Sequence, residues 1–215
     1  EMKEWQQFWK SLFAMAKARG VEVFIVNWNI VVSEGLAEAH GLPVYNDTSQ
    51  VTIDYTRQSV TKLIDTYEDL AGVGVTLADW MRGMSPAERE DWIQATFIEG
   101  MRQAKRRVRF LHRAVLSGSS DEMRRVLQDT AFRKPVLTEV KFNWSHGHST
   151  PELFITHASE SGAINTGFWE PAPDNYKIQW MVRNEDFFIL RWGNADFIRD
   201  HIRENAQSYR NGYHI

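Results

Sequence analysis

Apolar positions recur along the chain in two rhythms, and the switching between them predicts the architecture. Trp5, Phe8, Trp9, Leu12, Phe13 and Ala16 fall three and four residues apart, one face of a helix that Gly20 closes. The run VEVFIVNWNI over 21–30 then turns to the β-branched and aromatic types of a strand, ending on Asn27, Trp28 and Asn29. A loop over 35–49 follows. Next comes a helix opened by Asp54 and running to about Tyr67, with Val60, Leu63 and Ile64 on one face.

The unit then repeats. AGVGVTLADW over 71–80 reads as a short, fully buried strand. Ser85-Pro86-Ala87-Glu88 is a capping box with proline at the first helical position, and its helix carries Trp92, Ile93, Phe97 and Met101. It ends in Lys105-Arg106-Arg107. Cations suit the negative pole of a helix, so this run reads as capping chemistry and not as a nucleic-acid patch. Strands over 108–116 and 135–144 flank a helix that Ser120 caps and that runs to about Asp129. Periodicity weakens over 145–175, where 153–155 is a short strand candidate. KIQWMVRNEDFFILRW over 177–192 holds two more strands, separated by the polar knot Arg183-Asn184-Glu185-Asp186, and a last helix spans 194–208.

Strands and helices alternating at this spacing mean parallel βαβ units. The fold class is therefore α/β, of the (β/α)8 TIM-barrel type. Six main strands are two short of a closed ring, so the expectation is an open or partial barrel. Residues 1–215 form a portion of one such domain, with further chain segments or domains completing the barrel.

Composition narrows the chemistry. Apolar content of 43% and charged content of 25% describe a soluble globular domain, and a net charge of −3 points away from nucleic acid and anionic membranes. The absence of cysteine excludes disulfides, thiolate metal sites and a cysteine nucleophile. No apolar run approaches the roughly 18–20 residues of a membrane span. Secreted, periplasmic and cytoplasmic locations all remain compatible. Nine tryptophans supply flat apolar faces of the kind that stack on sugar rings.

Polar residues stand at the C-terminal ends of the strands, where barrel enzymes place their chemistry. They are Asn27 and Asn29, then Asp79, then His112 and Arg113, then Glu139, Lys141 and Asn143, then Arg183 and Glu185, and finally Arg191. Carboxylates on several strands match glycosyl transfer, which needs one protonated acid and one ionised base across the scissile bond. Apolar neighbours Leu77, Ala78 and Trp80 are expected to keep a proton on Asp79, and Arg183 to keep Glu185 ionised. Buried ion pairs, Glu139 with Lys141 and Arg183 with Glu185, are the structural alternative. His146-Gly147-His148 lacks supporting carboxylates and reads as hydrogen-bonding groups, so no metal is expected. No glycine-rich nucleotide loop or serine elbow is present, and no cofactor is expected.

In order, AKARGVEVFIVNWN, GVGVTLADW, FLHRAVL, LTEVKFNW and YKIQWMVRNEDFF resemble strand ends of the catalytic barrel of the family 67 α-glucuronidases, with family 115 a related possibility. The resemblance implies an inverting, metal-free glycoside hydrolase acting on an acidic, uronic-acid-bearing plant or algal polysaccharide. Asp79 falls at the family's general-acid glutamate, Arg113 at a family arginine and Glu185 at the catalytic glutamate. The aspartate that partners the base is replaced by Trp144-Ser145-His146, which leaves Glu139 or His146 as stand-ins. Substrate contacts are expected from Trp28, Asn29, Trp80, Arg113, Lys141, Asn143, His146, Arg183 and Trp192. Two other readings stay open. One is a polysaccharide lyase in which His146 or Arg183 takes a C5 proton, and the other is a non-catalytic glycan-binding barrel domain.

Overall fold

The computed structural model describes residues 1–77, 80–114, 119–128, 131–145, 150–156, 164–181, 195–206 and 213–214. Its sheet contains six strands, β1 (Phe24–Asn29), β2 (Gly72–Leu77), β3 (Arg109–Arg113), β4 (Arg133–Lys141), β5 (Tyr176–Met181) and β6 (Tyr213–His214). Their spatial order equals their sequence order, and every neighbouring pair is parallel. This is the run of parallel βα units that the alternation predicts. The expectation of a partial barrel agrees with this open parallel sheet. The strand expected over Phe187–Leu190 lies outside the described residues, and the sixth strand is Tyr213–His214.

Side-chain alternation gives the sheet two unlike faces. Val73, Val75, Phe110, Val136, Ile178 and Trp180 point one way and join a continuous core with Ile64, Ile93, Phe97 and Met101 of the helices. The opposite, inner face carries Trp28, Thr76, Arg113, Glu139 and Gln179 in lateral register. Strand β2 contributes Gly72 and Gly74 to that face, so Phe24 and Val26 of β1 and Arg109 and Leu111 of β3 close over it from both sides. A Cβ on Gly72 would lie 2.6 Å from the Arg109 carbonyl oxygen and press into the Phe24 ring. Gly72→Val is therefore expected to cost about 1–3 kcal/mol by overpacking. Urea denaturation checks this, and an unchanged midpoint would contradict the close approach.

The helices are α1 (Met2–Ala18), α2 (Glu34–His40), α3 (Gln50–Thr66), α4 (Pro86–Ile93), α5 (Glu99–Gln103), α6 (Ser120–Leu127) and α7 (Ala195–Glu204), with a π-helical turn, Gln94–Ile98, joining α4 to α5. The capping box at Ser85 and Glu88 forms as expected. Several elements differ from expectation. A short helix, α2, occupies part of the expected loop, because Ser33 caps its start and Gly41 ends it at φ 63. Helix α3 is capped by Ser49 instead of Asp54, and α6 by Ser119 instead of Ser120, since each of these hydroxyls reaches a free N–H three residues on. Strand β4 starts two residues early and ends at Lys141, giving way to a 3-10 turn over Phe142–Ser145. Residues 153–155 form no strand.

Arg106 caps a helix C-terminus, as its cationic run suggests, but the helix is α3. Its guanidinium donates to the carbonyls of Ile64, Tyr67 and Leu70. Helix α1 differs from the core-facing expectation. Phe13 is buried against Tyr67, whereas Trp5, Phe8 and Trp9 are 57%, 53% and 40% exposed. The helix leads into β1, an edge strand among the described residues, so sheet lies on only one flank of it.

Candidate active site

The inner face at the C-terminal end of the sheet is built around Arg113, the last residue of β3. The register places Thr76 beside it on β2, Glu139 on β4 and Gln179 next to Glu139 on β5. Its Nε donates to Glu139 Oε1 in an ion pair whose two side chains are 9% and 10% exposed. Nη1 donates to Thr76 Oγ1 at 3.0 Å, and Nη2 approaches Met181 Sδ at 3.4 Å. The guanidinium carbon sits 5.8 Å from the centre of the Trp28 ring. Three of the five N–H donors of this rigid fork are thus engaged by partners on β2, β4 and β5, leaving up to two beyond the described partners. Lys141 lies one inner layer above this group, opposite Met181, and Lys177 one layer below. Both are half-buried. Register thus puts Lys141 and Lys177 on the same face of the sheet as Arg113, a face suited to an anionic group.

Of the residues expected from sequence, Trp28, Arg113, Glu139 and Lys141 come together here. Asn29 does not. It follows Trp28 directly, so it points to the other face, where it is buried and donates to the Asn27 carbonyl at 3.2 Å. His112 likewise faces away from Arg113, and its Nε2 lies 3.1 and 3.0 Å from the two oxygens of Glu90 in α4.

Asn143 lies past β4 with φ 44, and its amide holds a loop. Nδ2 donates to the Glu152 carbonyl at 2.8 Å, and Oδ1 accepts from the N–H groups of Phe154 and Ile155 at 2.9 and 3.1 Å. It positions that loop instead of offering its amide to a ligand. Trp80 sits beyond β2, stacked on Tyr45. Asp79, His146, Arg183, Glu185 and Trp192 lie outside the described residues.

Thr76, Lys177, Gln179 and Met181 also belong to the inner layer. The signal for them was present: each is the polar or thioether partner in a period-two run, next to Val75, Ile178 or Trp180.

No protein-family profile matches the chain, and no curated protein does. Among solved structures, a GH138 enzyme targeting pectin rhamnogalacturonan II is similar over 99% of this chain, with a TM-score of 0.73 and 22% sequence identity. This chain spans 24% of the length of that one. The likeness is one of fold: these residues take the α/β fold of about a quarter of that chain.

Proposed function

We propose that the chain is part of a glycoside hydrolase barrel acting on an acidic, uronic-acid-bearing plant or algal polysaccharide. In this reading it is an inverting enzyme of the α-glucuronidase type, with Asp79 as general acid and Glu185 as base. The observation that carries the proposal is the cationic inner layer at the C-terminal end of the sheet, with Arg113 clamped between Glu139 and Thr76 over Trp28. A fold neighbour that targets a pectin supports the same class of substrate. Arg113 and Lys141, joined by Arg183, receive the substrate carboxylate, Trp28 offers a flat apolar surface to a sugar ring, and Glu139 fixes the direction of Arg113. Trp80, His146 and Trp192 complete the contacts. Further βα units of the same domain cover the open edge of β1 and the exposed aromatic face of α1.

The test compares a uronic-acid oligosaccharide with its neutral, carboxyl-reduced analogue on the full-length protein. Arg113→Ala is expected to weaken binding of the acidic ligand about 10–100-fold, the loss of a charge-assisted hydrogen bond, and to change the neutral one far less. Lys141→Ala, at a half-buried position, is expected to act in the same direction. Equal losses for both ligands would sink the carboxylate-clamp reading. A second reading is supported by Glu139, the one carboxylate on the inner face of β1–β5 among the described residues, being committed to Arg113. That reading is a glycan-binding barrel without turnover, and binding with no release of reducing sugar separates it from the enzyme. A rise in ultraviolet absorbance from unsaturated product would mark a lyase.

A further inference from the structure

The segment after α2 presents an aromatic ring that the site described above does not use. Tyr45 forms an antiparallel bridge with Val31. The flanking backbone is tied as well, Val32 N–H donating to the Val44 carbonyl at 3.0 Å and Asn46 N–H to the Ile30 carbonyl at 3.2 Å. The Tyr45 ring stacks on Trp80 with centroids 4.3 Å apart and planes 24° from parallel. Ile30 N–H also donates to the Trp80 carbonyl at 3.3 Å, so the supports of the two rings are joined through the backbone.

On the other side, Asn46 takes a φ of 64, and Asp47 accepts hydrogen bonds from the Ser49 N–H and from the hydroxyls of Ser49 and Thr52. Burial pushes the Asp47 carboxyl up, but these hydrogen bonds outweigh it and hold it below its ordinary value. Tyr45 is therefore ordered without being buried. It is 45% exposed, and its bridge partner Val31 is 42% exposed. One face of the ring rests on Trp80, so the exposure falls on the other face and the edge. Ile30 and Trp80 follow the ends of β1 and β2, the same end of the sheet at which Trp28, Arg113 and Glu139 gather.

We propose that Tyr45, supported from behind by Trp80, is an outer platform on which a second sugar ring of an acidic glycan stacks while another unit occupies the Arg113–Glu139 layer. The inference rests on the glycan reading above and adds the requirement for an oligosaccharide. The C–H face of a pyranose matches the free face of the phenol ring, and the hydroxyl can donate to or accept from a sugar hydroxyl. A ring already fixed by its backbone and by stacking loses little freedom when the ligand arrives, which is how a shallow surface contributes affinity.

Calorimetric titration of the full-length protein with galacturonic acid and with short galacturonate oligomers tests this. Tyr45→Ala is expected to weaken oligomer binding about 10-fold and to leave monomer binding within about twofold. Tyr45→Phe, which keeps the stacking face, is expected to restore most of the oligomer affinity. Oligomer affinity unchanged in Tyr45→Ala, or an equal loss for monomer and oligomer, overturns the platform and leaves the glycan reading standing. Failure of the unsubstituted protein to bind either ligand overturns both.

Discussion

Glu90→Ala is expected to destabilise the chain by about 3 kcal/mol, because it removes one half of a fully buried hydrogen-bonded pair and leaves the imidazole without a partner in the core. Glu90 on α4 and His112 on β3 are both 0% exposed, and the imidazole Nε2 lies within 3.1 Å of both carboxylate oxygens. His112 Nδ1 has no hydrogen-bond partner among the described residues, so the pair depends on this one contact. For a domain of this size the loss corresponds to a fall in melting temperature of roughly 10 °C. Thermal unfolding of the single variant, followed by circular dichroism, checks it. The control is the double variant Glu90→Met with His112→Leu, which fills the space with apolar groups and is expected to recover most of the loss. A single variant within about 1 kcal/mol of the parent would show that the pair carries no such energy. Because His112 is the immediate neighbour of Arg113, the pair also anchors the strand that delivers the guanidinium to the inner face.

Five strands were legible because each falls in a short apolar run, and punctuation such as the capping box at Ser85 and Glu88 marks the helix between two of them. Helix α2 was not read, because seven residues with Gly35 at the second position carry too little periodicity to stand out from a loop. Strand β6 has two residues and exists only through its pairing with β5. The site was legible in outline and not in detail. Sequence names the polar residues at the strand ends, but only alternation fixed by register separates Trp28 from Asn29 and Arg113 from His112. Asn143 illustrates a second limit, since its amide is consumed by residues 152–155, which no local pattern links to it. Tyr45 illustrates a third. Its role depends on a backbone bridge and on Trp80, both remote in sequence.

Asp79→Asn and Glu185→Gln are each expected to lower turnover on an acidic polysaccharide by about 10²–10⁴-fold while leaving binding nearly unchanged, the signature of lost acid–base chemistry. Strands β2 and β5 end at Leu77 and Met181, at the same end of the parallel sheet and on either side of β3 and β4. Three strand spacings of about 4.8 Å put them about 14 Å apart along the sheet, and wrapping into a barrel shortens that distance. An inverting pair needs its carboxyl groups roughly 6.5–9.5 Å apart, against roughly 5–5.5 Å for a retaining one. Arg113 and Glu139 lie on β3 and β4, between these two strands. The two variants are distinguishable by pH. A general acid works protonated, so Asp79→Asn removes the fall in rate on the alkaline side; a general base works ionised, so Glu185→Gln removes the fall on the acidic side. Nuclear magnetic resonance of the first-formed product is expected to show the anomeric configuration opposite to that of the substrate. Retention of configuration, or full turnover by either variant, would take that residue out of the proposed role.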